Sequence, residues 1–378
     1  MEITKLYLAR CRFEAVTGFW AASLFSTLIG ILYLHLILLA SVLVSCENRH
    51  QPPRINRTTE KVVDQDKGRS IHQIKLIPYW VPSAQFAGYY VGIEKGIFKK
   101  HGINLELLPF DPLMPVASLL TDKKTDFCLL WLVNALELRN KGVDIVNIAQ
   151  LSSRSSLMLI TKKNSGISKI GDMDGKRAGI WIGYEKQPQA LFRKYKLDVE
   201  IVPIGSTNNL FLQGGVDILN ANWFNEYHSV LNSGVEEEEL NTFFFADYGL
   251  NFLEDGIYCL ADKVKEDPGL CSDFVTATLE SWNYAFDNQE EAIDIVIKYA
   301  KAQNQPMNRS HQRWILSHYK TMYIPEGSKA INTCLMQKDF ESVQQIMLEN
   351  RFIKNLTPFD KFYKPVTNCQ EPENNRSN

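Results

Sequence analysis

The chain has 378 residues, of which 45% are hydrophobic and 22% charged, with a formal net charge of −2. That composition is ordinary for a folded globular protein and excludes collagen-like, low-complexity and charge-swollen disordered chains. Lysine and arginine are scattered rather than striped along a mildly acidic body, which argues against a nucleic-acid partner.

Lys5, Arg10 and Arg12 precede a stretch, Val16 to Ser45, in which no residue carries a full charge. A basic start before such a run is the pattern of an export signal. The run is also long enough to span a bilayer, so a retained N-terminal anchor is the alternative. It ends in Leu43-Val44-Ser45-Cys46, similar to a bacterial lipobox, in which small residues admit the signal peptidase and the cysteine, here Cys46, becomes lipidated. Residues 1–45 are expected to be this signal or anchor. Residues 46–73 hold Pro52, Pro53 and many charged side chains but few apolar ones, and read as a disordered spacer. On either reading the body is held to a membrane, by lipid or by helix, and works in the cell envelope outside the cytoplasm.

From Ile74 short apolar runs alternate with amphipathic ones. "IKLIPYW" reads as a strand, "YYVGIEKGIFKKHG" as a helix closed by Gly102, and "INLELLPF" as a strand of period two. "PVASLLTDKK" is a short helix, "DFCLLW" a buried strand, "VNALELRNKG" a helix and "VDIVNIAQL" a strand. "DGKRAGIWIG" restarts the pattern, followed by strands "VEIVPI" and "VDILNA" with helices from Glu185 and Trp223. Beyond Cys271 the chain is helical. Strand–helix repetition of this kind predicts an α/β layer structure with mainly parallel sheets. Two such units and a helical return predict a bilobed body with a ligand cleft between the lobes.

Chemistry-bearing motifs are scarce. No GxGxxG, GxxxxGK[ST], GxSxG or HExxH occurs, and no histidine or cysteine stands at metal-ligand spacing, so no metal site is expected. His311 and His318, seven apart on a late helix, fit a packed or solvated face. Beyond Cys11 and Cys46, the cysteines are Cys128, Cys259, Cys271, Cys334 and Cys369. Cys128 reads as a buried small hydrophobe, and either Cys259–Cys271 or Cys334–Cys369 could bridge in an oxidising compartment.

What recurs is an aromatic ring beside a polar group where a predicted strand ends. Trp80 and Gln85, with Tyr89 just beyond, follow the first strand, and Trp131 and Asn134 follow "DFCLL". Trp181, Tyr184 and Glu185 follow "RAGI"; Asn222, Trp223, Glu226 and Tyr227 follow "VDILNA"; Asp247, Tyr248 and Asn251 follow "TFFF". Ligands of α/β sheets bind beyond the carboxyl ends of strands. Rings that can stack, with amides and carboxylates at their edges, suit a flat heterocycle. Glu185, Glu226 and Asp247 make a poor surround for an anion, which needs Arg, Lys or backbone donors.

Five stretches, "WVPSAQFAGYYVGIEKGIFKKHGINLEL", "TDFCLLW", "IGDMDGKRAGIW", "ANWFNEYH" and "DYGLNFLEDGIYC", resemble the periplasmic binding proteins related to thiamine pyrimidine synthase. The likeness runs from about Ile74 to Asp287. It implies a type II periplasmic-binding-protein fold, with one lobe at 74–163 and 257–372 and the other at 164–256. It also implies a solute-binding protein serving an ABC permease and ATPase. The small-molecule ligand expected is a thiamine pyrimidine precursor, then a flavin, with an oxyanion last. The alternative the resemblance carries is the synthase itself, which makes the pyrimidine from pyridoxal phosphate and a histidine of its own chain, with iron. There Leu130 stands at the position of the reacting lysine and Asn134 at that of the consumed histidine. Leucine cannot form a Schiff base and asparagine has no imidazole, so no catalysis and no cofactor are expected.

Overall fold

The computed structural model describes residues 70–369, apart from 112, 206, 325 and 329. They belong to one compact unit, Lys61–Asn378. The expected signal or anchor, the Cys46 lipobox and nearly all of the spacer lie outside the described residues. Among the described residues no helix is long and apolar enough to cross a membrane.

Two five-stranded sheets organise the body. The first runs β2 (Ile103–Leu107), β1 (His72–Ile77), β3 (Phe127–Leu130), β10 (Gly256–Leu260), β4 (Ile145–Gln150). The second runs β7 (Glu200–Ile204), β6 (Arg177–Trp181), β8 (Ile218–Asn222), β5 (Leu157–Lys162), β9 (Leu240–Phe244). β1 is parallel to both neighbours, as is β6. The sheets are nevertheless mixed, since β10 lies antiparallel between β3 and β4, and β5 antiparallel to β8 and β9.

The sequence reading placed the crossover between the lobes after residue 163 and the return after 256. In the structure β5 already belongs to the second sheet, so the chain crosses in the serine-rich 151–156 and returns through 245–255 into β10. The β5 run "LMLITK" is apolar without alternation, as in a strand buried on both faces, and so carries no period-two signal.

Alternation along β3 shows how the first sheet is covered. Phe127 and Leu129 face a core shared with the helices Ala87–Glu94, Pro268–Asp287, Gln289–Ala302 and Arg309–Tyr323. Cys128 and Leu130 face the opposite core with the helices Leu132–Asn140 and Gln337–Glu349. Gly88 lets its helix approach the return helices, since a Cβ there would lie 2.5 Å from the Trp282 ring. Cys334 and Cys369 form a disulfide, while Cys128, Cys259 and Cys271 are buried free thiols.

Candidate ligand-binding cleft

Four strand ends, two from each sheet, deliver side chains to one cleft. β1 runs out into Tyr79 and Trp80, and the turn Ala84–Phe86 then presents buried Gln85. β3 runs into Trp131, the residue preceding the helix Leu132–Asn140. β6 ends on Trp181, and a tight bend at Gly183 (φ 94°) brings Tyr184 round. β8 ends on Asn222 and passes into a π-helical turn, Trp223–Tyr227, that carries Asn225 and Glu226. π-turns are rare and recur at functional sites.

The cleft has two chambers that share Tyr79, Trp131, Leu157 and Tyr184. The inner one, about 30 Å³, is walled by Trp80, Trp131, Trp181 and Tyr184 and edged by Gln85, Asn222 and Glu226. The outer one, about 370 Å³, takes in Leu130, Asn134, Glu137, Lys141 and Lys186. Trp80 meets Trp181 edge-on across the cleft at 6.4 Å, and Trp131 meets Tyr184 edge-on at 5.0 Å. The indole N–H groups of Trp131 and Trp181 are buried and have no hydrogen-bond partner within the protein. A buried donor of this kind gains an acceptor or costs free energy.

Glu226 is the inner chamber's carboxylate. Its Oε2 accepts from the Asn222 backbone N–H (2.8 Å) and Nδ2 (3.1 Å), and its Oε1 accepts from Asn225 Nδ2 (2.7 Å). The two asparagines thereby hold the carboxylate at the edge of the inner chamber. Burial raises its pKa, and hydrogen bonds from the Asn222 and Glu226 backbone and the Asn222 and Asn225 side chains oppose that rise. No lysine or arginine lines the inner chamber.

Beneath the cleft a second acidic group ties the crossovers together. Glu254 Oε1 accepts from Ser155 Oγ (3.0 Å), Ser156 N–H (2.9 Å) and Ser156 Oγ (3.2 Å). Asp255 accepts from the Tyr79 hydroxyl at 2.6 Å. Burial, then the neighbouring Asp255, pushes Glu254 up to about 8; burial pushes Asp255 up to about 7. The acid pair in "NFLEDGIYC", set among apolar residues, is the sequence signal for this group, but nothing there distinguishes it from a solvated turn.

Of the side chains singled out in the sequence, the structure gathers Trp80, Gln85, Trp131, Trp181, Tyr184, Asn222 and Glu226 in the inner chamber, with Asn134 in the outer. The others lie elsewhere. Tyr89 is 1% exposed and packs edge-on against Trp282, because its helix turns that face into the core. Tyr227 is buried in the second sheet's outer core near Trp314. Glu185 accepts from the Gly183 N–H and so holds the bend rather than facing the cleft. Tyr248 packs edge-on against Tyr195. Asp247 pairs with Arg154, and Asn251 accepts from the Ser155 N–H in the crossover. Tyr79, Asn220 and Asn225 line the inner chamber without having been expected there.

Leu130 offers no amine, Lys186 on the outer chamber is paired with Glu137 at 3.2 Å, and Lys141 is exposed. Among the described residues no group of three or more His, Cys, Asp or Glu could hold a metal ion.

A family model described as NMT1/THI5 like matches residues 83–292. A riboflavin-binding protein of Chloroflexus aurantiacus is 24% identical over 61% of this chain and 67% of its own. A formylaminopyrimidine-binding protein of Halalkalibacterium halodurans is 20% identical over 63% of this chain and 74% of its own. Among solved structures, the periplasmic aliphatic sulphonate binding protein of Escherichia coli superposes with a TM-score of 0.61 at 13% identity, covering 80% of this chain and 94% of that one. The chain thus has the periplasmic-binding-protein fold.

Proposed function

Because this chain belongs to the NMT1/THI5-like family, we propose that it is an extracytoplasmic solute-binding protein that captures a planar nitrogen heterocycle for an ABC permease and ATPase. The ligand class favoured is an aminopyrimidine related to thiamine. The observation that carries this reading is the inner chamber, in which Trp80, Trp131, Trp181 and Tyr184 surround the single carboxylate Glu226. The unpartnered N–H groups of Trp131 and Trp181 call for acceptors, which ring nitrogens supply. Glu226 places an acceptor at the chamber's edge, which an exocyclic amine matches as donor. The absence of lysine and arginine from the chamber lining disfavours a sulfonate or nitrate. The relatives named for riboflavin and formylaminopyrimidine both bind flat nitrogen heterocycles, in keeping with this chemistry. At about 30 Å³ the inner chamber holds about one water, so a heterocycle must displace its walls, such as Trp80 from Trp181, to enter.

Tethering at the cell envelope, through lipid on Cys46 or a retained anchor, belongs to the same proposal. The Cys334–Cys369 disulfide supports an oxidising compartment.

Glu226→Gln removes the charge while keeping the shape. It is expected to lower aminopyrimidine affinity about ten- to a hundredfold, the range of a hydrogen bond to a charged group. Trp80→Ala is expected to cost about threefold to tenfold through lost stacking. Calorimetric titration of the full-length variants checks both, and unchanged affinity in the pair would show that the ligand sits elsewhere.

A further inference from the structure

On the far side of Glu226 from the ligand chamber, a line of hydrogen bonds leaves the cleft. Asn225 donates Nδ2 to Glu226 Oε1, which fixes the orientation of its amide. Its Oδ1 therefore faces His311 Nε2, at 2.8 Å, as an acceptor. His311 must carry its proton on Nε2 to donate there, which leaves Nδ1 bare. That nitrogen lies 2.7 Å from Nδ1 of His228, within hydrogen-bond distance. The Asn232 amide Nδ2, a donor, stands 3.2 Å from the same His228 nitrogen.

The line joins the two halves of the molecule. Asn225, Glu226 and His228 follow β8 of the second sheet. His311 stands on the helix Arg309–Tyr323, whose Ile315, Leu316 and Tyr319 are buried in the first sheet's core. The rings of His228 and His311 are parallel at 5.0 Å, and His228 also stacks on Trp314 at 4.4 Å. Trp314 in turn donates its Nε1–H to the Trp223 carbonyl across the same boundary.

We propose that His311 is a positioning residue for the ligand: reaching across from the first half, it fixes Asn225, and through it Glu226, and with His228 forms a latch that holds the cleft shut. This rests on the reading of Glu226 as a ligand group. The two Nδ1 atoms share a single proton, so the latch cannot survive protonation of both rings. Burial, then neighbouring His228, lowers His311 to about 4; burial, then His318, lowers His228. No acid adjoins the pair to oppose this. Glu226 is separated from it by Asn225, Arg309 and Arg313 are paired with Glu290 and Asp294 of the preceding helix, and Glu237 acts on Tyr227. A histidine whose closed-state pKa lies below its ordinary value near 6.5 favours closure above that pH and releases it as pH falls toward 4. The cleft is therefore shut at neutral pH and loosens in acid.

The test uses the full-length chain in detergent, with formylaminopyrimidine as probe. Wild-type affinity is expected to fall several-fold between about pH 7 and about pH 5, through the titration range of histidine. His311→Ala lowers affinity at neutral pH by roughly five- to tenfold, the order that a lost buried hydrogen bond gives. His311→Gln can still donate to Asn225 but cannot titrate, so it keeps neutral-pH affinity and flattens the profile. A flat wild-type profile, or a His311→Gln profile that follows wild type, overturns the latch. A second arm needs no ligand. Amide exchange across 223–231, corrected for intrinsic rates, rises on acidification in wild type and not in His311→Gln. If that difference appears while no heterocycle binds, the latch stands and the ligand assignment falls. If it does not appear, the latch is refuted.

Discussion

Trp282→Ala is expected to destabilise the fold by about 3–5 kcal/mol, the range for truncating a fully buried aromatic. Trp282 is 0% exposed and lies parallel to Tyr319 at 5.8 Å, with Tyr89 and Tyr323 edge-on at 6.2 and 5.0 Å. It is the point where the return helix Pro268–Asp287 meets Ala87–Glu94, and Gly88 leaves no side chain to fill the space the indole would vacate. The damage would also reach the cleft floor, because Tyr319 contacts the Tyr79 hydroxyl, which donates to Asp255. Since the indole N–H makes no hydrogen bond, Trp282→Phe keeps most of the packing and should cost clearly less. Denaturant unfolding decides it. A lowered midpoint with an unchanged slope is the expected result, and a loss below about 1 kcal/mol for the alanine variant would contradict this packing account.

Glu254→Gln is expected to do the reverse and stabilise the protein in mild alkali. The folded state holds Glu254 near 8, above the ordinary carboxylate value, so its protonated form is the one that fits the crossover. A raised folded pKa contributes stability that is complete below about 4.5 and is lost as pH rises through 8. Between about pH 6.5 and about pH 8 that loss amounts to roughly 2 kcal/mol, with Asp255 adding in the same direction. This window avoids the opposite effect of His228, His311 and His318, all lowered by burial, which acts below 6.5. Glutamine keeps an acceptor for the Ser156 N–H and carries no charge, so the variant's stability should stay nearly flat where wild type declines. Thermal unfolding curves that fall in parallel would place the titration elsewhere.

The layered pattern is legible because period two along "INLEL", the apolar run "DFCLLW" and helical spacing in the return are local properties of the chain. Strand direction was not. β10 lies antiparallel between β3 and β4 only because the chain has crossed to the second sheet and come back, which no local pattern encodes. The same limit shaped the site. Trp80, Trp131, Trp181 and Asn222 were legible because they stand where strands end, whatever the packing. Tyr89 and Tyr227 misled because a ring on a helix next to a strand end can face either core or cleft. Asn225 and His311 gain their roles only from each other, across 86 residues of sequence. Read alone, His311 was a residue on a packed or solvated face.

The central claim is that the inner chamber takes a flat nitrogen heterocycle. Titration calorimetry of the full-length chain against formylaminopyrimidine, riboflavin and a short alkanesulfonate tests it most directly. A saturable one-to-one isotherm for a heterocycle, strongest for the aminopyrimidine and abolished or much weakened by Glu226→Gln, is the predicted result. Tight binding of the sulfonate alone would contradict the account.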